Sequence, residues 1–192
     1  RHANIFAILF SIADETKQEK ILKNVLENDE IPAITTPYFN FFELDVLCRM
    51  GKLTEVLDKI RSYWGGMLDL GAVTFWEEYD PSVPKEEQYD MYGDHFGKSL
   101  CHAWAASPIY FLAKYFAGLD LVNKDGVTYI LKPQMQYFTE LDCTLPVGSN
   151  GVVRLVWDGE ILEITPNADG GILELGEQKL SLVRGETRRV KI

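Results

Sequence analysis

Val152-Val153-Arg154-Leu155-Val156-Trp157-Asp158-Gly159-Glu160-Ile161-Leu162-Glu163-Ile164-Thr165 decides the second half of the fold. Two alternating, β-branched runs flank Asp158-Gly159, the strongest short-range hairpin signal. The period of two extends both ways from there. It begins near Leu119 and gives a strand over Val127-Thr128-Tyr129-Ile130-Leu131. It resumes in Ile172–Leu175, Lys179–Val183 and Thr187–Ile192, separated by turns that contain glycine. These runs predict a small antiparallel β-sandwich over residues 119–192.

Before Gly118 the period is 3.6, so residues 1–118 read as helices. Ile5, Ile8, Leu9 and Ile12 form one stripe. Asp14 can cap a second helix with Ile21, Leu22, Val25 and Leu26 on one face. Thr36-Pro37 places a cap before a proline at the first helical position. The stripe Phe42, Val46, Leu47 and Met50 follows, and Gly51 ends it. Thr54 is expected to open another helix with Leu57, Ile60 and Trp64 inward, stopped or bent at Gly65-Gly66. Helix is expected again from about Lys98 to Ala117, kinked at Pro108 or restarted with Ser107 as cap. Short loops between such helices predict an array of αα-hairpins.

The chain has 192 residues and a net charge of −10, with 19 Lys+Arg against 29 Asp+Glu. Nucleic acid needs a basic face to neutralise phosphates. The best basic run is only Arg188-Arg189 with Lys191, so nucleic acid and anionic membranes are not expected partners. No apolar stretch approaches the roughly 18 residues of a membrane span. Cys48, Cys101 and Cys143 are odd in number and far apart, and read as reduced thiols packed in a core. The chain starts at Arg1 without a methionine or a signal peptide, which suggests a processed protein or a piece of a longer one.

Residues 70–97 break the helical pattern. They hold five glycines and prolines (Gly71, Pro81, Pro84, Gly93, Gly97) and the rings of Phe75, Trp76, Tyr79, Tyr89 and Tyr92. A long aromatic loop in a compact domain points to function. Gly97-Lys98-Ser99 resembles the end of a phosphate loop, but Tyr92 stands where the first glycine must be. His2, His95 and His102 lack metal-ligand spacing, so neither a metal nor a cofactor is expected. Acids beside tryptophans remain, in Gly71–Asp80, and the His102-Ala103-Trp104 run follows in Ser99–Pro108. Such pairs suit sugar hydrolysis: rings stack on apolar sugar faces, and a carboxylate serves as acid, base or nucleophile. Asp69, Asp80 and Asp94 read as caps or turn residues, and Asp80 to Asp94 as a solvated loop able to act as a lid.

Gly71-Ala72-Val73-Thr74-Phe75-Trp76-Glu77 resembles the Gly-Ala-Thr-Thr-x-Trp-Glu segment of glycoside hydrolase family 78, the α-L-rhamnosidases. Ser99 to Pro108 resembles that family's Ser-x-x-His-x-Trp block. Arg1 to Asn4, Thr35-Thr36-Pro37-Tyr38, Lys132-Pro133-Gln134 and Leu145-Pro146 are also similar. The resemblance implies a mainly α plus β chain: the C-terminal part of an (α/α)6 toroid, then a small sandwich. It implies hydrolysis of terminal α-L-rhamnosyl bonds with inversion, with no cofactor. Glu77 matches the general base, and Glu78 is the fallback. Trp64, Trp76, His102 and Trp104 are the expected sugar-binding residues. The family's general acid lies upstream, in an Asp-Glu-Arg-type motif absent before Glu77. The chain is therefore expected to need the upstream part of the same enzyme. Its setting would be soluble and bacterial-type, cytoplasmic or periplasmic.

Three alternatives stay open. Another toroid glycosidase would act on a different sugar. A toroid lyase would use Tyr79 or Tyr92 with His102. A carbohydrate-binding or scaffold fragment would turn nothing over.

Overall fold

The computed structural model describes residues 1–123, 128–149 and 151–192. Val127, the start of one expected strand, lies outside the described residues. The chain is α plus β, and it divides into two units, Arg1–Pro108 and Ile109–Ile192.

The first unit opens with α1 (His2–Leu9) and α2 (Glu15–Ile21), which continues as a π-helical turn over Leu22–Leu26. Asp14 caps α2, its side chain accepting from the Lys17 N–H at 2.9 Å. α3 (Pro37–Arg49) begins with proline at its first position. α4 (Leu53–Lys59) runs through a π-helical turn, Ile60–Trp64, into α5 (Gly65–Asp69). α1 packs on α3 and α3 on α4. Ile5, Ile8, Ala13, Ile21, Ile34 and Val46 form a core edged by Phe39, Phe42 and Met50. Arg1 locks this arrangement. Its guanidinium grips the Glu43 carboxylate at 2.7 and 3.2 Å and also donates to the Leu26 and Ile31 carbonyls.

Several helical expectations need correction. Ile12 lies beyond α1 and is 73% exposed, because the chain turns at Ser11 with φ +57°. Thr54 is inside α4, whose N-cap position is Lys52. Gly65-Gly66 does not stop the helix. Gly66 is needed for a different reason: a Cβ there would stand 2.6 Å from Tyr79 Cε1. No helix forms from Lys98. The segment stays irregular until a 3-10 turn at Ala103–Ala105, and α6 (Ser107–Phe111) starts afresh, continuing as a π-helical turn over Leu112–Phe116. Among the described residues the buried Ser107 hydroxyl has no hydrogen-bond partner, so it does not cap; Pro108, with its fixed φ, sets the start.

In the second unit, β1 (Leu119–Leu121), β2 (Tyr129–Leu131), β6 (Gly171–Leu175) and β7 (Gln178–Leu182) form one sheet in the order β1-β2-β6-β7. β3 (Leu141–Val147), β4 (Gly151–Trp157), β5 (Ile161–Pro166) and β8 (Arg188–Lys191) form the other, in the order β3-β4-β5-β8. The expectation of an antiparallel sandwich is corrected at one pair: β2 runs parallel to β6, from Tyr129↔Gly171 to Leu131↔Leu173. The β4–β5 hairpin turns at Asp158-Gly159, with Trp157 opposite Leu162. Asp158 Oδ1 accepts the Glu160 and Ile161 N–H groups at 2.9 and 2.7 Å, which closes the turn. Both sheets contribute to one core, with Tyr129, Leu131, Val153, Leu155, Leu162, Ile164 and Leu173 fully buried. Among the described residues no helix is long and apolar enough to cross a membrane.

Candidate active site

Two stretches of the first unit lie side by side. The Glu77 N–H donates to the Ser99 carbonyl at 2.9 Å, and the His102 N–H to the Phe75 carbonyl at 2.8 Å. The Thr74 hydroxyl donates to the Leu100 carbonyl. This lacing joins the Trp76-Glu77 segment to the Ser99–His102 segment, although neither is part of a regular sheet.

Glu77 is 7% exposed. Its Oε2 accepts the Ser99 N–H at 3.0 Å, and its Oε1 accepts the Tyr92 hydroxyl at 3.0 Å. His102 Nδ1 stands 3.7 Å from Oε2, at ion-pair range. Each carboxylate oxygen can take further donors beyond the one it already has. A held carboxylate with free lone pairs can orient a water and accept its proton.

Tyr92 reaches Glu77 from a tight turn. Met91 and Asp94 exchange both backbone hydrogen bonds at 3.0 Å. The two residues between them both have positive φ, Tyr92 at +55° and Gly93 at +83°. Glycine accepts that conformation freely; for a tyrosine it costs roughly 1–2 kcal/mol. Gly97 packs against the same turn, where a Cβ would sit 3.0 Å from the Met91 carbonyl carbon. The Gly97-Lys98-Ser99 run that resembles a phosphate loop thus supplies close packing at Gly97 and a Glu77 donor at Ser99. Lys98, between them, is buried, and burial lowers its pKa from the ordinary lysine value against the pull of Glu78, Asp80, Asp90 and Glu77.

The four expected sugar-binding residues fall into two pairs. His102 and Trp104 are together, ring centroids 4.1 Å apart, and Trp104 is 48% exposed. Trp104 continues to the half-exposed ring of Tyr38 at 5.5 Å. Trp64 and Trp76 are buried instead. Trp64 donates its indole N–H to the Ala105 carbonyl at 2.8 Å and packs edge-on against Tyr63. Trp76 packs against Tyr89 at 5.6 Å. Both are nearly fully buried, so within this chain they brace the two segments. Glu78 turns to Thr35, whose hydroxyl donates to it at 3.0 Å. Tyr79 packs on Tyr63, and its N–H donates to the Tyr63 hydroxyl at 3.0 Å.

Asp80 and Asp94 are turn residues, accepting the N–H groups of Ser82 and Phe96 at 2.9 and 3.2 Å. Asp69 ends α5. The Asp80–Asp94 stretch is mostly exposed and is pinned by the buried Gln88, which donates to the Asp80 and Val83 carbonyls. Cys101 corrects the sequence reading: it is exposed, Cys48 is buried and Cys143 lies between. The His102 N–H bond to Phe75 holds the irregular strand outside the core, and Cys101 goes with it. Tyr92 and Ser99 are the Glu77 partners that spacing alone does not single out. Gly93 suits the second positive-φ position of the turn, but nothing in the sequence marks Tyr92 for the first. Among the described residues no group of three or more His, Cys, Asp or Glu could hold a metal ion.

No family model and no curated protein matches the chain. In structure it is similar to the crystallised GH78 family rhamnosidase of Bacillus sp. GL1, with a TM-score of 0.71 at 22% identity. The likeness covers 92% of this chain and 19% of that one, so the chain spans about a fifth of that enzyme's length. At this identity the likeness is one of fold, to a segment of a larger glycoside hydrolase.

Proposed function

We propose that this chain is the C-terminal portion of an inverting α-L-rhamnosidase, with Glu77 as the general base. In this reading residues 1–118 complete an (α/α)6 toroid and residues 119–192 are a C-terminal sandwich. The supporting observation is the Glu77 carboxylate itself. It is nearly buried, held on both oxygens by Ser99 and Tyr92, and flanked by His102, whose ring meets the half-exposed ring of Trp104. The fold likeness to a rhamnosidase adds weight.

The chemistry follows from one held carboxylate with lone pairs left to accept from a water. Glu77 takes a proton from a water whose oxygen attacks the anomeric carbon. The bond from that carbon to the leaving oxygen breaks, and a carboxylic acid gives that oxygen a proton. In inverting enzymes the two carboxyls stand roughly 6.5–9.5 Å apart, leaving room for the water. The upstream part of the same enzyme supplies the acid, and the Asp-Glu-Arg-type motif is its source. His102 and Trp104 contact the sugar, one by hydrogen bonding and one by stacking. Trp64 and Trp76 serve the sugar indirectly, by fixing the segments that carry Ala105 and Glu77. The reaction requires no cofactor.

The lyase alternative is weakened by Tyr92. Its hydrogen bond to Glu77, and then the charge of Glu77, raise its pKa above the ordinary tyrosine value, which makes it a poor base. The test is stereochemical. Proton NMR of the full-length enzyme acting on an aryl α-L-rhamnoside should show β-L-rhamnose as the first-formed anomer. First-formed α-rhamnose would reject inversion, and an unsaturated product would revive the lyase.

A further inference from the structure

Tyr92 combines three features that packing does not explain. It is 83% exposed, so its ring fills no core. Its backbone holds a left-handed conformation, φ +55°, that a bulky side chain disfavours. Yet its hydroxyl meets one specific atom, Glu77 Oε1, at 3.0 Å. The turn that aims it is well determined, by the paired Met91–Asp94 bonds and by Gly97 packed beneath. Strain that surrounding structure maintains for a single polar contact points to a role for that contact.

We propose that Tyr92 is a positioning residue for Glu77, fixing the carboxylate rotamer through the hydroxyl-to-Oε1 hydrogen bond. The proposal rests on the reading of Glu77 as general base. With Oε2 tied to the Ser99 N–H, the Tyr92 bond holds the second oxygen, and the carboxylate plane can no longer rotate. The remaining lone pairs then point in fixed directions, as a base that must hold one water requires. The phenol stays protonated, and so remains a donor, because the same bond raises its own pKa.

Two readouts test this. In the full-length enzyme, Tyr92→Phe should lower kcat on an aryl α-L-rhamnoside by roughly three- to tenfold and leave KM within about twofold. A merely structural role would not lower kcat while sparing KM. The second readout needs no turnover: ¹³Cζ-tyrosine NMR of the chain, with the Tyr92 resonance assigned by Tyr92→Phe. Tyr92 should titrate above the ordinary range in the wild type and fall back toward it in Glu77→Gln. An inactive Glu77→Gln beside a Tyr92→Phe with unchanged kcat would overturn the positioning role and leave the base assignment standing. A Tyr92 titration identical in wild type and Glu77→Gln would overturn it whatever the activity. A fully active Glu77→Gln would instead remove the base reading, and the positioning role with it.

Discussion

Gly65 and Gly66 are neighbours in one continuous helix, and replacing each by alanine should move stability in opposite directions. Alanine is favoured over glycine within a helix by about 1 kcal/mol, and both sites gain that term. At Gly65 the added Cβ has nothing within 4 Å, and the backbone is helical at φ −60° and ψ −39°. Gly65→Ala should therefore stabilise the helical unit by about 1 kcal/mol. At Gly66 the Cβ would lie 2.6 Å from Tyr79 Cε1 and 2.5 Å from Cζ. The Tyr79 ring must move by roughly 1 Å to restore ordinary contact, which disturbs its edge-on packing against Tyr63. Overpacking of this kind costs roughly 1–3 kcal/mol, so Gly66→Ala should destabilise by about 1 kcal/mol net. Urea unfolding followed by circular dichroism at 222 nm would read both, and about 2 kcal/mol should separate the variants. In a Tyr79→Ala background the ring is gone, and Gly66→Ala should become stabilising. Equal effects at the two positions, or no reversal with Tyr79→Ala, would refute the packing argument.

Glu43→Gln should destabilise the helical unit by about 3 kcal/mol in denaturant unfolding, because it leaves the buried Arg1 guanidinium without its counter-charge. Native-state labelling with a thiol reagent should modify Cys101 quickly and spare Cys48, whose thiol burial has pushed up to about 12. Tyr63 is buried, and burial raises its pKa well above the ordinary 10.0. Above pH 10 the unfolded chain loses that proton while the folded one keeps it, so stability should fall as pH rises past 10. A thermal melt series from pH 8 to pH 11 would follow this, and Tyr63→Phe should flatten the alkaline decline.

Periodicity carried much of the fold. The Val152–Thr165 hairpin, the Asp14 cap and the proline start of α3 rest on local chemistry, and each is where the sequence puts it. β3 escaped local reading because Pro146 interrupts an otherwise alternating run. Its place at the edge of the sheet explains why proline is tolerated, but edge position is a property of topology. The parallel β2–β6 pair is likewise set by partners forty residues apart. Gly65-Gly66 reads as a helix stop or bend; the meaning of Gly66 is the Tyr79 ring, which arrives from outside the helix. At the candidate site, Glu77, His102 and Trp104 were legible as types of residue in a suggestive order. Tyr92 as a partner of Glu77 was not. Its link depends on a positive-φ turn and a 15-residue loop that returns to its start. The burial of Trp64 and Trp76 could not be read from a stretch where rings are dense throughout.

The central claim is that Glu77 activates the water. The most direct measurement is hydrolysis of an aryl α-L-rhamnoside by the full-length enzyme, wild type beside Glu77→Gln, with folding checked by circular dichroism. Glutamine keeps the shape and the Ser99 contact but cannot take the proton. A loss of roughly 10³-fold or more in kcat is predicted, within the range a general base supplies. Equal turnover in the two proteins would contradict the account and move the search for the base to Glu78.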